Sequence, residues 1–309
     1  MLDSKFTFVL YAHPAIVDKL DTYPNVVIVP YSVPGRQFYK DYGFAKSMVF
    51  AYDNPEPLLE YDYVCKTDTD VFFTPEFNNF PFETNKIYIG KAMYSTPVGQ
   101  ELLKKAAIRF GYTAFKRISD MHSTVVAPTK DLIKIMELSD KLEEDMYYGL
   151  EEDGAWIGDS LWRGPIGMNA GICSMYATEI VLSSVYPRDR VVVTPKLDAR
   201  SEARNDWAEY YHMHCYHHDF IYSKFQAKYG AYLDAVTVEG RSAADYCLNV
   251  YVSKHKAMKE TPEAFVNLEV IVDPVPFQEE GRWPIFMYTW EQPPGYRSSW
   301  IPPEDGLKA

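Results

Sequence analysis

The chain has 309 residues, with 31 Lys and Arg against 43 Asp and Glu, which gives a formal net charge of −12 at pH 7. A chain of this length can bury a substantial core, and 47% hydrophobic and 24% charged residues exclude disordered and fibrous classes. The acidic balance argues against a nucleic-acid binder, because phosphate contacts need a basic surface.

No apolar run reaches the roughly 20 residues that a membrane-spanning helix requires. The four cysteines are widely spaced without a C-x-x-C pair. This favours a reducing, cytoplasmic compartment, although an excised luminal domain would show the same pattern.

The first 75 residues alternate strand-like and helix-like segments, which predicts a parallel sheet with crossover helices. The predicted elements in this part are Phe6–Ala12, Ala15–Thr22, Val26–Val29, Gln37–Tyr52 and Tyr61–Lys66, strands and helices in alternation. The last strand runs directly into the triplet Asp68-Thr-Asp70. In a parallel α/β sheet ligands bind at the carboxyl ends of strands, so these acidic residues lie where a binding site is expected.

The same texture continues to about residue 260. The later predictions are strands at Ile87–Ala92, Thr124–Pro128 and Tyr210–Tyr216, and helices at Lys130–Leu142, Met175–Tyr186 and Phe220–Tyr232. From Thr261 onward prolines and tryptophans are concentrated, which favours an extended segment over a separate domain. We therefore predict one domain over residues 1–260 and a C-terminal segment over 261–309 that packs on its core.

Asp68 and Asp70 give the strongest functional signal of the sequence. Two carboxylates two residues apart at the end of an apolar strand can hold a hard divalent cation such as Mn²⁺ or Mg²⁺, and that cation can bridge two phosphates. A solvated acidic turn is the simplest alternative. A sharper one is a Mg²⁺-dependent phosphatase loop, D-x-D-x-[T/V], in which Asp68 is the nucleophile and Asp70 the general acid. That loop normally follows the first strand of its domain, whereas here two β–α units precede it.

Four of the seven histidines lie within seven positions, at His212, His214, His217 and His218. In an alternating strand His212 and His214 face the same side, so one of them can complete a metal site. His214 is the first candidate ligand and His212 the second.

The order of these motifs, over approximately residues 5–235, resembles the metal-dependent glycosyltransferases with the GT-A fold. The resemblance implies an α/β architecture with a mostly parallel central sheet flanked by helices, and a late histidine as the third metal ligand beside Asp68 and Asp70. It also implies that Lys224, in Ser223-Lys-Phe225, contacts the diphosphate of a nucleotide-sugar donor. His218 also stays open as the ligand, because in this family the ligand histidine lies six residues before the diphosphate-contacting lysine, as His218 does before Lys224.

The same resemblance divides the domain into a nucleotide-binding half at about 1–75 and an acceptor half at about 76–260. In the first half, it implies that Tyr11 and Ala12 cradle the base and ribose, with the Tyr11 ring stacked on uracil. Arg36 and Lys46 are similar to the basic residues that reach the nucleotide in this family.

The implied activity is transfer of a hexosyl or pentosyl group from a nucleoside-diphosphate sugar, with UDP as the expected nucleotide, to a hydroxyl of a glycan acceptor. If the reaction inverts the anomeric centre, Asp153 or Glu179 is the implied base; if it retains, no such base is needed. The late H-x-H-C-x-H cluster followed by S-K-F also resembles transferase-like proteins of algae and large algal viruses. That resemblance implies a soluble viral or cytoplasmic enzyme that builds a glycan, in the host-cell cytoplasm if it is viral. A non-catalytic carbohydrate-binding protein is the third class that stays open.

Overall fold

A computed structural model describes residues 6–18, 20, 25–68, 70–91, 97–119, 121–152, 170–201, 203–215, 222–224, 227, 232 and 236–260. Over these residues the chain is an α/β protein. The strands are β1 (Phe8–Ala12), β2 (Val26–Pro30), β3 (Tyr63–Lys66), β4 (Val71–Phe73), β5 (Ile87–Ile89), β6 (Val125–Pro128), β7 (Val191–Val193), β8 (Ala199–Arg200) and β9 (His212–His214). The helices are α1 (Pro14–Val17), α2 (Gln37–Asp41), α3 (Lys46–Asp53), α4 (Pro97–Arg109), α5 (Thr129–Glu152), α6 (Cys173–Val185) and α7 (Ala243–Glu260).

The strands form three sheets with the orders β1-β2, β3-β6-β5-β7 and β4-β9-β8. Among the described residues three pairings are parallel, β1 with β2, β5 with β7 and β8 with β9, and three are antiparallel. The expectation of a mostly parallel sheet is therefore not met. The connections between the antiparallel neighbours, residues 67–124, 74–211 and 90–124, are long enough to return the chain in either direction, so the alternation of strand-like and helix-like segments does not determine the strand direction.

The main apolar core lies where α5 packs on α6 and α3. Leu132, Ile135 and Met136 of α5 repeat at the three- and four-residue spacing of one helix face, and all three are buried against residues such as Ile180 of α6. Burying a side chain of this size stabilises the fold by about 1.5–3 kcal/mol. The predicted helix at Lys130–Leu142 is confirmed, and it extends to Glu152.

The predicted helix at Gln37–Tyr52 is interrupted. Tyr42 leaves the helical region with φ −126° and ψ 87°, and a 3-10 turn at Gly43–Ala45 separates α2 from α3. Glycine is a weak helix former, which explains the break at this position.

No helix in the described part of the chain has the length and apolarity to cross a membrane. The predicted C-terminal segment 261–309 lies outside the described residues, as does most of the predicted helix Phe220–Tyr232.

Candidate metal centre

Asp70 and His214 meet because of the register between β4 and β9. The two strands pair antiparallel with Val71 opposite His214, and the Cys215 N–H donates a hydrogen bond of 2.9 Å to the Asp70 carbonyl oxygen. Asp68 follows the end of β3, so three strands deliver these side chains to one point. The structure therefore brings the two aspartates of the D-x-D motif together with His214, the first candidate histidine.

The donor atoms of Asp68, Asp70 and His214 all lie within 4.8 Å of one another. The His214 Nε2 atom is 3.2 Å from Asp70 Oδ1 and 3.6 Å from Asp68 Oδ2. In an octahedral site with ligands at about 2.1 Å, adjacent donors are about 3 Å apart, which is close to these separations. Two carboxylates and one imidazole also form a donor set that suits Mn²⁺. The residues present therefore fit a divalent cation.

Two lysines flank the carboxylates. Lys224 Nζ makes an ion pair with Asp70 Oδ2, and Lys66 Nζ lies 3.4 Å from Asp68 Oδ1 and 3.3 Å from the Ser123 carbonyl oxygen to which it donates. The sequence reasoning assigned Lys224 to the site but missed Lys66, whose position at the end of β3, two residues before Asp68, was the available signal.

Neighbouring groups shift the pKa values of Asp70 and His214 in opposite directions. Burial alone would raise the pKa of Asp70, but the hydrogen bond and charge of His214, together with the Lys224 ammonium, outweigh it and hold this pKa well below its usual range. Burial alone would lower the pKa of His214, yet its contact with Asp70 and the charge of Asp68 raise it. Asp70 and His214 therefore each stabilise the charged form of the other.

His212 lies outside this group. Its Nδ1 accepts a hydrogen bond of 3.1 Å from the Asp198 N–H, and its Nε2 lies 2.8 Å from Thr124 Oγ1 and 3.2 Å from Thr67 Oγ1. Burial is the largest influence on the pKa of His212 and lowers it despite the nearby Asp198 carboxylate. Both ring nitrogens of His212 therefore contact protein groups. Strand alternation predicts that His212 and His214 face the same side, but His212 is not part of the group that could hold a metal ion.

Asp198 was also missed from the sequence. It is buried immediately before β8, and its carboxylate accepts hydrogen bonds from the segment that leads into β6. Burial opposes its charge, but the two histidines and the hydroxyl donors outweigh that effect and hold the pKa of Asp198 below its usual range.

The residues implied for base and ribose binding lie in the core. Tyr11 is 3% exposed, its ring packs on Phe50 and Tyr31 at centroid distances of 4.5 and 5.8 Å, and its hydroxyl donates to the Asn54 carbonyl oxygen. The Ala12 side chain is also fully buried. In this arrangement the Tyr11 ring has no face open to a uracil base.

Arg36 is directed to helix α5. Its guanidinium donates to Asp140 Oδ2 at 2.9 Å and makes a second ion pair with Glu144. Lys46 begins α3 and is half-buried, and burial lowers its pKa. Among the interactions described for them, neither contacts the Asp68 group.

Glu179 is fully buried in α6. Its carboxylate accepts hydrogen bonds from the N–H groups of Ile118 and Ser119 at 2.8 and 3.0 Å and from the hydroxyls of Ser119 and Ser183. These bonds make it an anchor for the 118–119 segment. A cavity of about 330 Å³ lies beside that segment, lined by Lys91, Arg117, Ile118, Ser119 and Val193. The other implied base, Asp153, lies outside the described residues.

The fold and this site define an α/β protein with a candidate cation site of two aspartates and one histidine. Residues 15–262 match the model of a family described as a domain of unknown function, DUF7164, and the chain belongs to that family. The matched range includes the three candidate ligands and Lys224. No curated protein matches the sequence.

Proposed function

We propose that the protein is a metal-dependent glycosyltransferase of the GT-A type, which transfers a hexosyl or pentosyl group from a nucleoside-diphosphate sugar, UDP-linked in the first instance, to a hydroxyl of a glycan acceptor. The observation that carries the proposal is the convergence of Asp68, Asp70 and His214. Lys224 pairs with Asp70 Oδ2, while His214 faces Oδ1 of the same carboxylate.

Asp68, Asp70 and His214 hold Mn²⁺ or Mg²⁺ in this proposal. The bound cation supplies positive charge against the diphosphate as it leaves. Lys224 is within reach of the same region and offers a further donor to a phosphate oxygen, while Lys66 balances Asp68 from the strand side. The proposed donor therefore binds a locally cationic site in an acidic protein.

Fewer contacts in the structure support the acceptor side of the proposal than its donor side. Glu179 is enclosed by hydrogen bonds, so if the reaction inverts, Asp153 is the preferred base. If the reaction retains, the leaving phosphate takes the acceptor proton and neither carboxylate is needed. The residues implied for the base and ribose, Tyr11 and Ala12, are buried, so the nucleotide is proposed to bind chiefly through its diphosphate.

The test is titration calorimetry of UDP, GDP and TDP, followed by thermal-shift measurements with the corresponding sugars, each with and without Mn²⁺. We expect one nucleoside diphosphate to bind only with Mn²⁺, and Asp70→Asn to lose that binding. Asp62→Asn is the matched control, because Asp62 is an exposed carboxylate immediately before β3 and outside the ligand group. It is expected to bind like the wild type.

Absence of binding by any nucleoside diphosphate in the presence of Mn²⁺ would rule out the proposal. Two other results would redirect it. Mg²⁺-dependent release of inorganic phosphate that needs Asp68 but survives His214→Gln would identify a phosphatase. Sugar binding that persists in EDTA and in Asp70→Asn would identify a non-catalytic carbohydrate-binding protein.

A further inference from the structure

The Asp198 carboxylate has four donors in the described structure. Its Oδ2 accepts the N–H groups of Ser123 and Thr124 at 3.1 and 3.0 Å. Its Oδ1 accepts the hydroxyl groups of the same two residues at 2.8 and 2.7 Å. An ionised carboxylate offers about four lone-pair positions, so these donors fill its capacity. Both hydroxyl protons are consequently committed to Asp198.

A hydroxyl that has given its only proton to one partner acts as an acceptor toward every other. Ser123 Oγ lies 3.3 Å from His214 Nδ1, so it accepts the Nδ1–H of that ring. The other ring nitrogen, Nε2, is then the atom that offers a lone pair, and it faces Asp68 and Asp70. Metal-binding histidines are commonly held in this way by an acceptor on the second nitrogen.

The Thr124 hydroxyl orients the His212 ring in the same way, but there neither ring nitrogen keeps a lone pair for a cation. Its hydroxyl oxygen, 2.8 Å from His212 Nε2, receives the Nε2–H, and the Asp198 N–H fills Nδ1. One carboxylate therefore fixes both rings, with His214 ready to bind a cation and His212 closed to it.

The backbone conformation at Asp198 and the missing side chain at Gly90 determine where the Asp198 carboxylate lies. Asp198 has φ of +56°, in the left-handed region that non-glycine residues seldom occupy. Its carboxylate also fits only because Gly90 lacks a side chain, since a Cβ there would overlap Asp198 Oδ2.

We propose that Asp198, acting through the Ser123 hydroxyl, is a positioning residue that holds His214 with Nε2 directed to the cation. The inference rests on the metal site of the proposed function. It predicts that loss of the Ser123 hydroxyl weakens cation binding, although Ser123 itself is not a ligand.

The experiment compares Mn²⁺ affinity by calorimetry in Ser123→Ala and Thr124→Val. Each variant removes one hydroxyl from the same oxygen of Asp198, but only the first removes the acceptor from His214. We expect Ser123→Ala to bind Mn²⁺ about 10- to 100-fold more weakly, and Thr124→Val to stay within about threefold of the wild type. Thermal unfolding in EDTA verifies that both variants are folded.

Two further variants separate positioning from general loss of structure. Ser123→Thr keeps the hydroxyl and is expected to restore wild-type affinity. In a His214→Gln background, Ser123→Ala should have no additional effect, because the ring through which it acts is absent.

Equal affinity of Ser123→Ala and wild type, or equal weakening in Ser123→Ala and Thr124→Val, would overturn the positioning role while leaving the metal site intact. If the wild type binds no Mn²⁺ at all, the metal site of the proposed function fails, and the positioning role fails with it.

Discussion

Glu143 is an ionisable residue in an environment that does not stabilise its charge. It is fully buried in α5, and neither carboxylate oxygen has a hydrogen-bond partner in the described structure. Burial raises the pKa of its carboxyl well above the ordinary value, and the nearby Asp140 raises it further. The folded protein therefore favours the neutral acid at this position.

This raised pKa predicts a pH dependence of stability. The unfolded carboxyl titrates near 4.5, whereas the folded one holds its proton to higher pH. The stabilising contribution is thus complete below the unfolded pKa and is lost as the pH rises through the folded pKa, by about 1.4 kcal/mol for each pH unit that separates the two pKa values. Glu143→Gln removes the titrating group. We expect its free energy of unfolding, measured by urea denaturation, to exceed that of the wild type increasingly from pH 5 to pH 8.

Glu137→Gln is the matched control, since Glu137 lies on the same helix, is 43% exposed in its side chain and pairs with Lys141. Its difference from the wild type should change little over the same pH range, because exposed ion pairs contribute at most about 1 kcal/mol. A pH-independent difference for Glu143→Gln would show that Glu143 is ionised in the folded state.

The candidate ligands could be predicted because each has a recognisable pattern of its own in the sequence. Asp68 and Asp70 follow an apolar strand, and His214 lies in a cluster of histidines. Ser123 and Asp198 carry none, because a serine before a strand and an aspartate after a turn are ordinary in sequence. Their proposed role depends on one carboxylate reaching two hydroxyl groups more than 70 positions earlier, and no local pattern records that contact.

Among the secondary-structure elements, long periodic segments were predicted best. The helix at Met175–Tyr186 is confirmed as α6 (Cys173–Val185), and the strand at Tyr210–Tyr216 contains β9 (His212–His214). By contrast β4 (Val71–Phe73), β7 (Val191–Val193) and β8 (Ala199–Arg200) were missed. Strands of two or three residues have too few positions to show alternation. The equally short β5 and β9 were predicted only as parts of longer segments, Ile87–Ala92 and Tyr210–Tyr216.

The connection after β5 is held by close packing at Gly90. Its N–H donates to the Thr124 carbonyl oxygen, and Asp198 occupies the space that a side chain would need. Gly90→Ala should therefore displace the Asp198 carboxylate, lower the free energy of unfolding by about 1–3 kcal/mol and weaken Mn²⁺ binding. Calorimetry and urea denaturation measure the two effects.

Gly43→Ala provides the comparison, because a Cβ on Gly43 meets no atom within 4 Å. It is expected to keep wild-type Mn²⁺ affinity. If Gly90→Ala lost stability but kept Mn²⁺ affinity, the packing of this connection would be separate from the site, and the link through Asp198 would be wrong.

In the molecule as a whole, the candidate site joins two sheets. Asp68 follows β3 of the four-stranded sheet, whereas Asp70 precedes β4 and His214 belongs to β9, both in the three-stranded sheet. The three-stranded sheet packs on its own apolar cluster, which includes Met213 and Cys247 and is distinct from the main core around α5 and α6. The global charge of −12 gave no indication of such a junction.

A cation at this junction should stabilise one part of the molecule selectively. Binding to the native state alone adds about 2.7 kcal/mol at a hundredfold excess over Kd, and the gain acts on openings that separate the ligands. We expect Mn²⁺ to slow amide hydrogen exchange, followed by mass spectrometry, in peptides covering β4, β9 and the end of β3. Peptides from α6 should change little, because their openings do not require separation of the ligands. In His214→Gln the protection should be largely lost. Uniform slowing across α6 and β9 would instead show that Mn²⁺ acts on global unfolding only, and the prediction that the ligands separate in a local opening would be wrong.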